Sequence, residues 1–149
     1  MSILIIEDNK NKLKQIKEFF SECYPEYSIT ESHSFRDGIT KVYQNCWKLI
    51  VLDMTLPVYE ITHTENGGDK KPVAGKDIMK RMLNKKIMTP VVIITQFEKF
   101  DDDKITLDSL NAEFERDYKE IWKGTIFYEN DDWRTSLKEL LDKLNVLNV

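Results

Sequence analysis

Apolar residues fall along this chain in two alternating rhythms. Ile3–Ile6 is a short β-branched run that stops at the polar string Glu7-Asp8-Asn9, and from Asn9 to Cys23 the apolar positions Leu13, Ile16, Phe19, Phe20 and Cys23 recur three and four apart. The first pattern predicts a strand and the second a helix with one buried face. Pro25 ends that helix, a second strand is expected over Tyr27–Glu31, and Ser34 is placed to cap a helix whose inner face is Phe35, Ile39, Val42, Tyr43 and Cys46. Lys48–Asp53 and Val91–Thr95 are further strands; neither alternates, so both faces of each should be covered, as in a parallel sheet between helices. Gly75–Leu83 predicts a short helix between them, carrying Ile78, Met79, Met82 and Leu83. Leu107, Leu110, Phe114, Tyr118, Ile121 and Trp122 mark a long fourth helix from about Asp102 to Lys123, with Gly124 as its stop. Thr125–Tyr128 is then a fifth strand and Asp132–Leu147 a last helix.

Five strands alternating with five helices predict an α/β fold: one doubly wound parallel sheet with right-handed crossovers, as a single domain over residues 1–149. Composition narrows the setting. The chain has 149 residues, 41% hydrophobic, with 22 Lys+Arg against 26 Asp+Glu. It is long enough to bury a core without a staple, and the formal charge of −4 argues against a nucleic-acid-binding face. No apolar run approaches a membrane span and no leader pattern opens the chain, so a cytoplasmic location with no membrane partner is expected. Cys23 and Cys46 fit neither a zinc motif nor a disulfide framework and are expected to be core thiols.

In such sheets ligands bind at the carboxyl ends of the strands beside the switch in strand order, which singles out Glu7, Asp8, Asp53 and Thr95. A flavodoxin-like order, 2-1-3-4-5, would make the first and third strands neighbours and gather Glu7, Asp8 and Asp53 in one pocket. Three carboxylates together call for a cation, and an all-oxygen donor set suits a hard divalent ion such as Mg2+. With its charge screened, Asp53 is placed to attack phosphorus as a carboxylate nucleophile. Blander readings stand beside these: Asp8 as a helix cap, Asp101–Asp103 as a solvated helix start, His33 and His63 facing solvent, and the Trp122, Trp133 and leucine stripes as core.

The segments ILIIEDN, LIVLDMTLP and VVIIT, in this order and spacing, resemble the first strand with its acidic pair, the phosphoacceptor strand and the fourth strand of CheY-like receiver domains of two-component response regulators. The resemblance spans essentially the whole chain. It implies that Asp53 accepts a phosphoryl group, that Glu7, Asp8 and Asp53 hold magnesium with the backbone carbonyl of Thr55, and that Thr95 is the hydroxyl that reports phosphorylation. Gly75 matches the glycine opening the family's third helix. The implied partners are a histidine kinase or phosphotransfer protein, an unknown downstream protein meeting the fourth helix, fifth strand and fifth helix, and a second copy in a homodimer.

The departures are as informative. The family's lysine after the fifth strand, which pairs with the phosphate, is missing from GTIFYENDDW, where Glu129, Asn130 and Asp131 stand instead. Lys123 precedes the strand and would lie roughly 20 Å away at about 3.3 Å per residue. Lys10, Lys99 or a lysine of the insertion is the expected substitute. Gln96 replaces a small residue, which narrows phosphoryl access or offers an amide to the phosphate. Residues 58–74 form an insertion with a hairpin signal at Asn66-Gly67, expected to overhang the pocket. The first functional reading is therefore a stand-alone receiver, a phosphoacceptor signalling domain and not an enzyme beyond self-dephosphorylation. The second is a pseudo-receiver that works without phosphorylation. The third, ranked last, is a magnesium-dependent phosphohydrolase, which lacks the acid/base aspartate at position 55.

Overall fold

The computed structural model describes residues 1–44, 46–59 and 70–147. The main sheet is parallel and five-stranded: β1 (Ser2–Ile6), β2 (Ser28–Ser32), β3 (Leu49–Leu52), β6 (Val91–Thr95) and β9 (Trp122–Phe127), in the order β2-β1-β3-β6-β9. Five helices cross between the strands: α1 (Lys10–Cys23), α2 (Phe35–Gln44), α3 (Ala74–Asn84), α4 (Leu107–Asp117) and α5 (Trp133–Leu144). The expected doubly wound order is thus present. Two short antiparallel pairs lie outside the main sheet, β4 (Leu56–Pro57) with β5 (Lys70–Lys71), and β7 (Lys99–Phe100) with β8 (Ile105–Thr106).

Burial explains the unbroken apolar strands. Leu4, Ile6, Ile50, Leu52, Val91 and Ile93 face one core, shared with Ile78, Met79 and Phe114 from the helices. Ile3, Ile5, Leu49, Val51, Val92 and Ile94 face the other, which α1 and α5 cover with Phe19, Phe20, Leu137 and Leu141. Successive side chains of a strand point to opposite faces, so a strand buried on both must be apolar throughout.

Pairing register then places the strand ends in step. Ile6 lies opposite Leu52, the Asp53 amide donates to the Ile6 carbonyl at 3.1 Å, and the Glu7 amide donates to the Ser32 carbonyl at 2.9 Å. Glu7 and Asp53 therefore emerge side by side at one rim. Gly75 supports that rim from below: its amide donates to the Met54 carbonyl at 3.0 Å, and a β-carbon there would stand 2.6 Å from Leu52 Cδ1 and 2.9 Å from the Asp53 carbonyl oxygen.

The second half of the chain departs from the sequence pattern. The fourth helix is 11 residues long, Leu107–Asp117, not the long helix expected from Asp102 to Lys123. At its start Thr106 and Ser109 form a reciprocal capping box, and Asp101–Asp103, expected to open the helix, instead make the β7–β8 turn with φ of 53°, 55° and 67°. Asp tolerates the left-handed region better than most residues. At its end the Ile121 and Trp122 amides both donate to the Tyr118 carbonyl, and the Val91 amide donates to the Ile121 carbonyl at 2.7 Å, so the chain enters β9 three residues early. Gly124 lies within β9, where Leu140 of α5 packs on it, and is not a helix stop.

Smaller differences follow the same logic. Tyr43 is 42% exposed rather than on the inner face of α2, and Cys46 is exposed while Cys23 is half-buried, so the two thiols are not a core pair. The base of the insertion is the β4–β5 ladder, closed by a hydrogen bond from the Thr55 hydroxyl to the Pro72 carbonyl at 2.8 Å. His63 and the Asn66-Gly67 turn lie outside the described residues.

Gly75→Ala should force the Leu52 side chain and the backbone at Asp53 apart. Overpacking of this kind costs about 1–3 kcal/mol, and urea unfolding of the variant should show a loss in that range; an unchanged midpoint would mean that α3 can move away freely.

Candidate functional site

One oxygen from each of Glu7, Asp8 and Asp53 lies within 4.8 Å of the others. Glu7 and Asp53 are 1% exposed and Asp8 is half-buried. The N-cap of α1 is Asn9, whose side chain accepts from the Lys12 amide at 3.0 Å. Asp8 is thereby released from capping, and its carboxylate meets the Lys70 ammonium at 3.1 Å, at the base of the insertion.

The cation expected near these carboxylates comes from a position the sequence pattern did not suggest. Lys10 and Lys99 are exposed, and Lys70 reaches Asp8; it is Lys12, only 2% exposed, that enters the pocket. Side chains in a helix point back toward its N-terminus, which at the third residue of α1 means toward the carboxyl rim of the sheet. The Lys12 ammonium lies 2.6 Å from Glu7 Oε1 and 3.3 Å from Asp53 Oδ1, and donates at 2.7 Å to both the Ile94 carbonyl and Gln96 Oε1. It also stands 5.7 Å from the centroid of the Tyr128 ring. An ammonium has three donors. The three short contacts can use them, and the contact to Asp53 is the longest of the four.

Thr95 is fully buried at the end of β6, and its hydroxyl oxygen lies 3.4 Å from the Phe97 amide, which donates to it. Gln96 does not stand free over the pocket: its amide oxygen is committed to Lys12. Tyr128, the first residue beyond β9, donates from its hydroxyl to Gln15 at 2.8 Å, and Glu129, Asn130 and Asp131 beyond it are exposed. Lys123 points away, its ammonium 3.5 Å from the Lys119 carbonyl.

Electrostatics at the rim are dominated by burial. Desolvation, then the Asp53 charge, push the Glu7 carboxyl up to about 8, against the pull of Lys12 and the Asn9 amide. Asp53 is also raised, by desolvation first, while Lys12 and the Met54 amide, donating to Oδ1 at 2.8 Å, act in the opposite direction. A hard divalent ion fits this donor set: it would find three carboxylate oxygens within reach of one centre, two of them already desolvated.

Comparisons with known proteins bear on the fold that carries this site. No family model matches the chain. It is 32% identical over 145 residues to an uncharacterized protein of Sinorhizobium fredii, y4jR, covering 93% of this chain and 95% of that one. It is 29% identical over 150 residues to the Detocs response regulatory protein DtcB of Enterobacter cloacae, covering 97% of this chain and 100% of the relative. Among solved structures it is similar to a CheY-like receiver domain from Methanospirillum hungatei, with a TM-score of 0.63, 16% identity and coverage of 97% and 93%. A Francisella receiver domain, response regulator 1452, gives 0.63, 20% identity and coverage of 98% and 94%.

A raised carboxyl pKa sets the sign of a pH effect. Between about pH 4.5 and 8 the unfolded chain has released a Glu7 proton that the folded chain retains, so stability falls as pH rises through this window. In chelator, the unfolding free energy should decline on the order of 1 kcal/mol per pH unit. Glu7→Gln should flatten part of the decline, and Asp53, whose carboxyl is also raised, acts in the same direction. A wild-type profile that is flat across the window would overturn this assignment.

Proposed function

We propose that this chain, a member of the CheY-like family of response-regulator receiver domains that serve two-component signalling, accepts a phosphoryl group on Asp53 with Mg2+ bound beside it. The observation that carries the reading is the convergence of Glu7, Asp8 and Asp53 at the adjoining ends of β1 and β3, with a buried ammonium alongside. Glu7, Asp8 and Asp53 would hold the ion, with the Thr55 backbone carbonyl as a further ligand. The metal supplies charge neutralisation at the transferring phosphoryl oxygens.

This chain's own residues do the rest. Asp53 presents the nucleophilic oxygen, and its loose tie to Lys12 leaves it the most available of the two buried carboxylates. Thr95, beside it at the end of β6, offers the hydroxyl that would respond to the new group. Receiver domains interact with kinases or phosphotransfer proteins, and such a protein is the proposed donor here. The proposed output surface is α4, β9 and α5, engaging a downstream protein or a second copy of the chain.

A second reading is favoured by one specific observation. Lys12 already neutralises part of the acidic pocket, an internal counter-charge of the kind an interaction module that needs no phosphorylation would require.

Intact-protein mass after incubation with acetyl phosphate, with and without magnesium and beside Asp53→Asn, separates the two. The expected result is a phosphoryl adduct that requires both magnesium and Asp53. No adduct on a folded, magnesium-binding protein, even with candidate donor kinases, would favour the constitutive module.

A further inference from the structure

We propose that Lys12 is the phosphoryl-binding cation of this domain, delivered from the first turn of α1 rather than from the segment that follows the last strand. The inference rests on phosphorylation of Asp53 as set out above. When an Asp53 oxygen forms its bond to phosphorus, the bond from phosphorus to the donor's leaving group breaks and that group departs with the electron pair. A carboxylate with one negative charge is replaced by an acyl phosphate bearing two. The added charge arises at a buried rim, where desolvation makes an unpaired anion expensive.

Among the described residues, Lys12 is the cation that meets Asp53, at 3.3 Å. It is also the only buried lysine among them. Its ammonium is also held by the Ile94 carbonyl and Gln96 Oε1, which flank Thr95 in sequence. The contact to Asp53 is the longest of its four, so a phosphoryl oxygen built outward from Asp53 can take up the donor now directed to Gln96 without moving α1. In this arrangement Gln96 is the resting-state partner of Lys12, and phosphorylation releases its amide beside Thr95.

The position after β9 is filled by Tyr128, whose ring lies beside the Lys12 ammonium at 5.7 Å from the centroid. An aromatic face is a favourable neighbour for a cation. It adds no second positive charge to the pocket. Tyr128 thus completes the cradle in which the lysine from α1 sits.

The test compares wild type, Lys12→Met and the double variant Lys12→Met with Tyr128→Lys, each with magnesium and acetyl phosphate, followed by intact mass. Magnesium titration in the absence of phosphate provides a second reading. Removing a preorganised charge-stabilising donor slows such steps by about 100-fold or more. Lys12→Met is therefore expected to form the adduct about 100-fold more slowly while still binding magnesium, and the double variant, which returns an ammonium from the other side, should recover most of the rate. Lys12→Met reacting as fast as wild type would overturn the inference and leave phosphorylation of Asp53 standing. A folded wild type that takes neither phosphoryl group nor beryllofluoride would overturn both. Should Lys12→Met fail to fold, wild type decides: the slowly exchanging resonance of its buried 15N-labelled lysine ammonium is expected to shift on adding beryllofluoride with magnesium. An unmoved resonance despite bound beryllofluoride would sink the assignment.

Discussion

The contact on which the rim of this molecule depends is a single buried ammonium set against two buried carboxylates. Taking Glu7, Asp53 and Lys12 out of water is costly for each, and only their mutual proximity and full hydrogen bonding make it tolerable. Every buried side-chain nitrogen and oxygen among the described residues has a partner. Lys12 gathers four oxygens from three strand ends: Glu7 after β1, Asp53 after β3, and the Ile94 carbonyl and Gln96 side chain around the end of β6. It is consequently a tie across the three central strands at the point where their backbone pairing ends.

That tie is possible because of sheet order. Placing β3 next to β1, and β6 next to β3, brings three strand ends that are far apart in sequence within the span of one lysine side chain. The apolar strands beneath are buried on both faces, so the rim cannot shift by a residue without carrying apolar side chains to the wrong core. Gly75 closes the underside, since only a residue without a β-carbon lets α3 approach the Asp53 backbone so nearly. Rigid support from below and electrostatic balance from within are what hold three carboxylates close enough to share an ion.

Much of this was legible in the sequence, for identifiable reasons. The strands ending at Ile6, Leu52 and Thr95 announce themselves by β-branched runs stopped by polar residues, and their polar successors are the site. The fourth helix misled because Ile121 and Trp122 continue the apolar spacing of Leu110, Phe114 and Tyr118, although they belong to the next strand; a stripe of period 3.6 cannot by itself mark where a helix hands over to a sheet. Asp101–Asp103 misled similarly, because an acidic run before a helical pattern is a common first turn, whereas here left-handed backbone makes it a hairpin tip. Lys12 was invisible to periodicity, since a lysine beside a buried Leu13 is ordinarily a solvated flank.

One signal in the sequence did point at Lys12, and its physics ties the departures of this chain together. The first turn of α1 contains no acidic residue, and Lys10 and Lys12 both stand at the helix end that disfavours positive charge. A local rule broken without a nearby compensation is most often broken by a site. The compensation is at the strand ends, where Glu7, Asp53 and the Ile94 and Gln96 oxygens meet the ammonium directly. Around the Lys12 ammonium, Tyr128 supplies an aromatic face, and Gln96 is long enough to bring an acceptor to it, which a small residue could not. The Gln96 acceptor, the Tyr128 face and the two strand-end carboxylates are thus parts of one arrangement around a single buried positive charge.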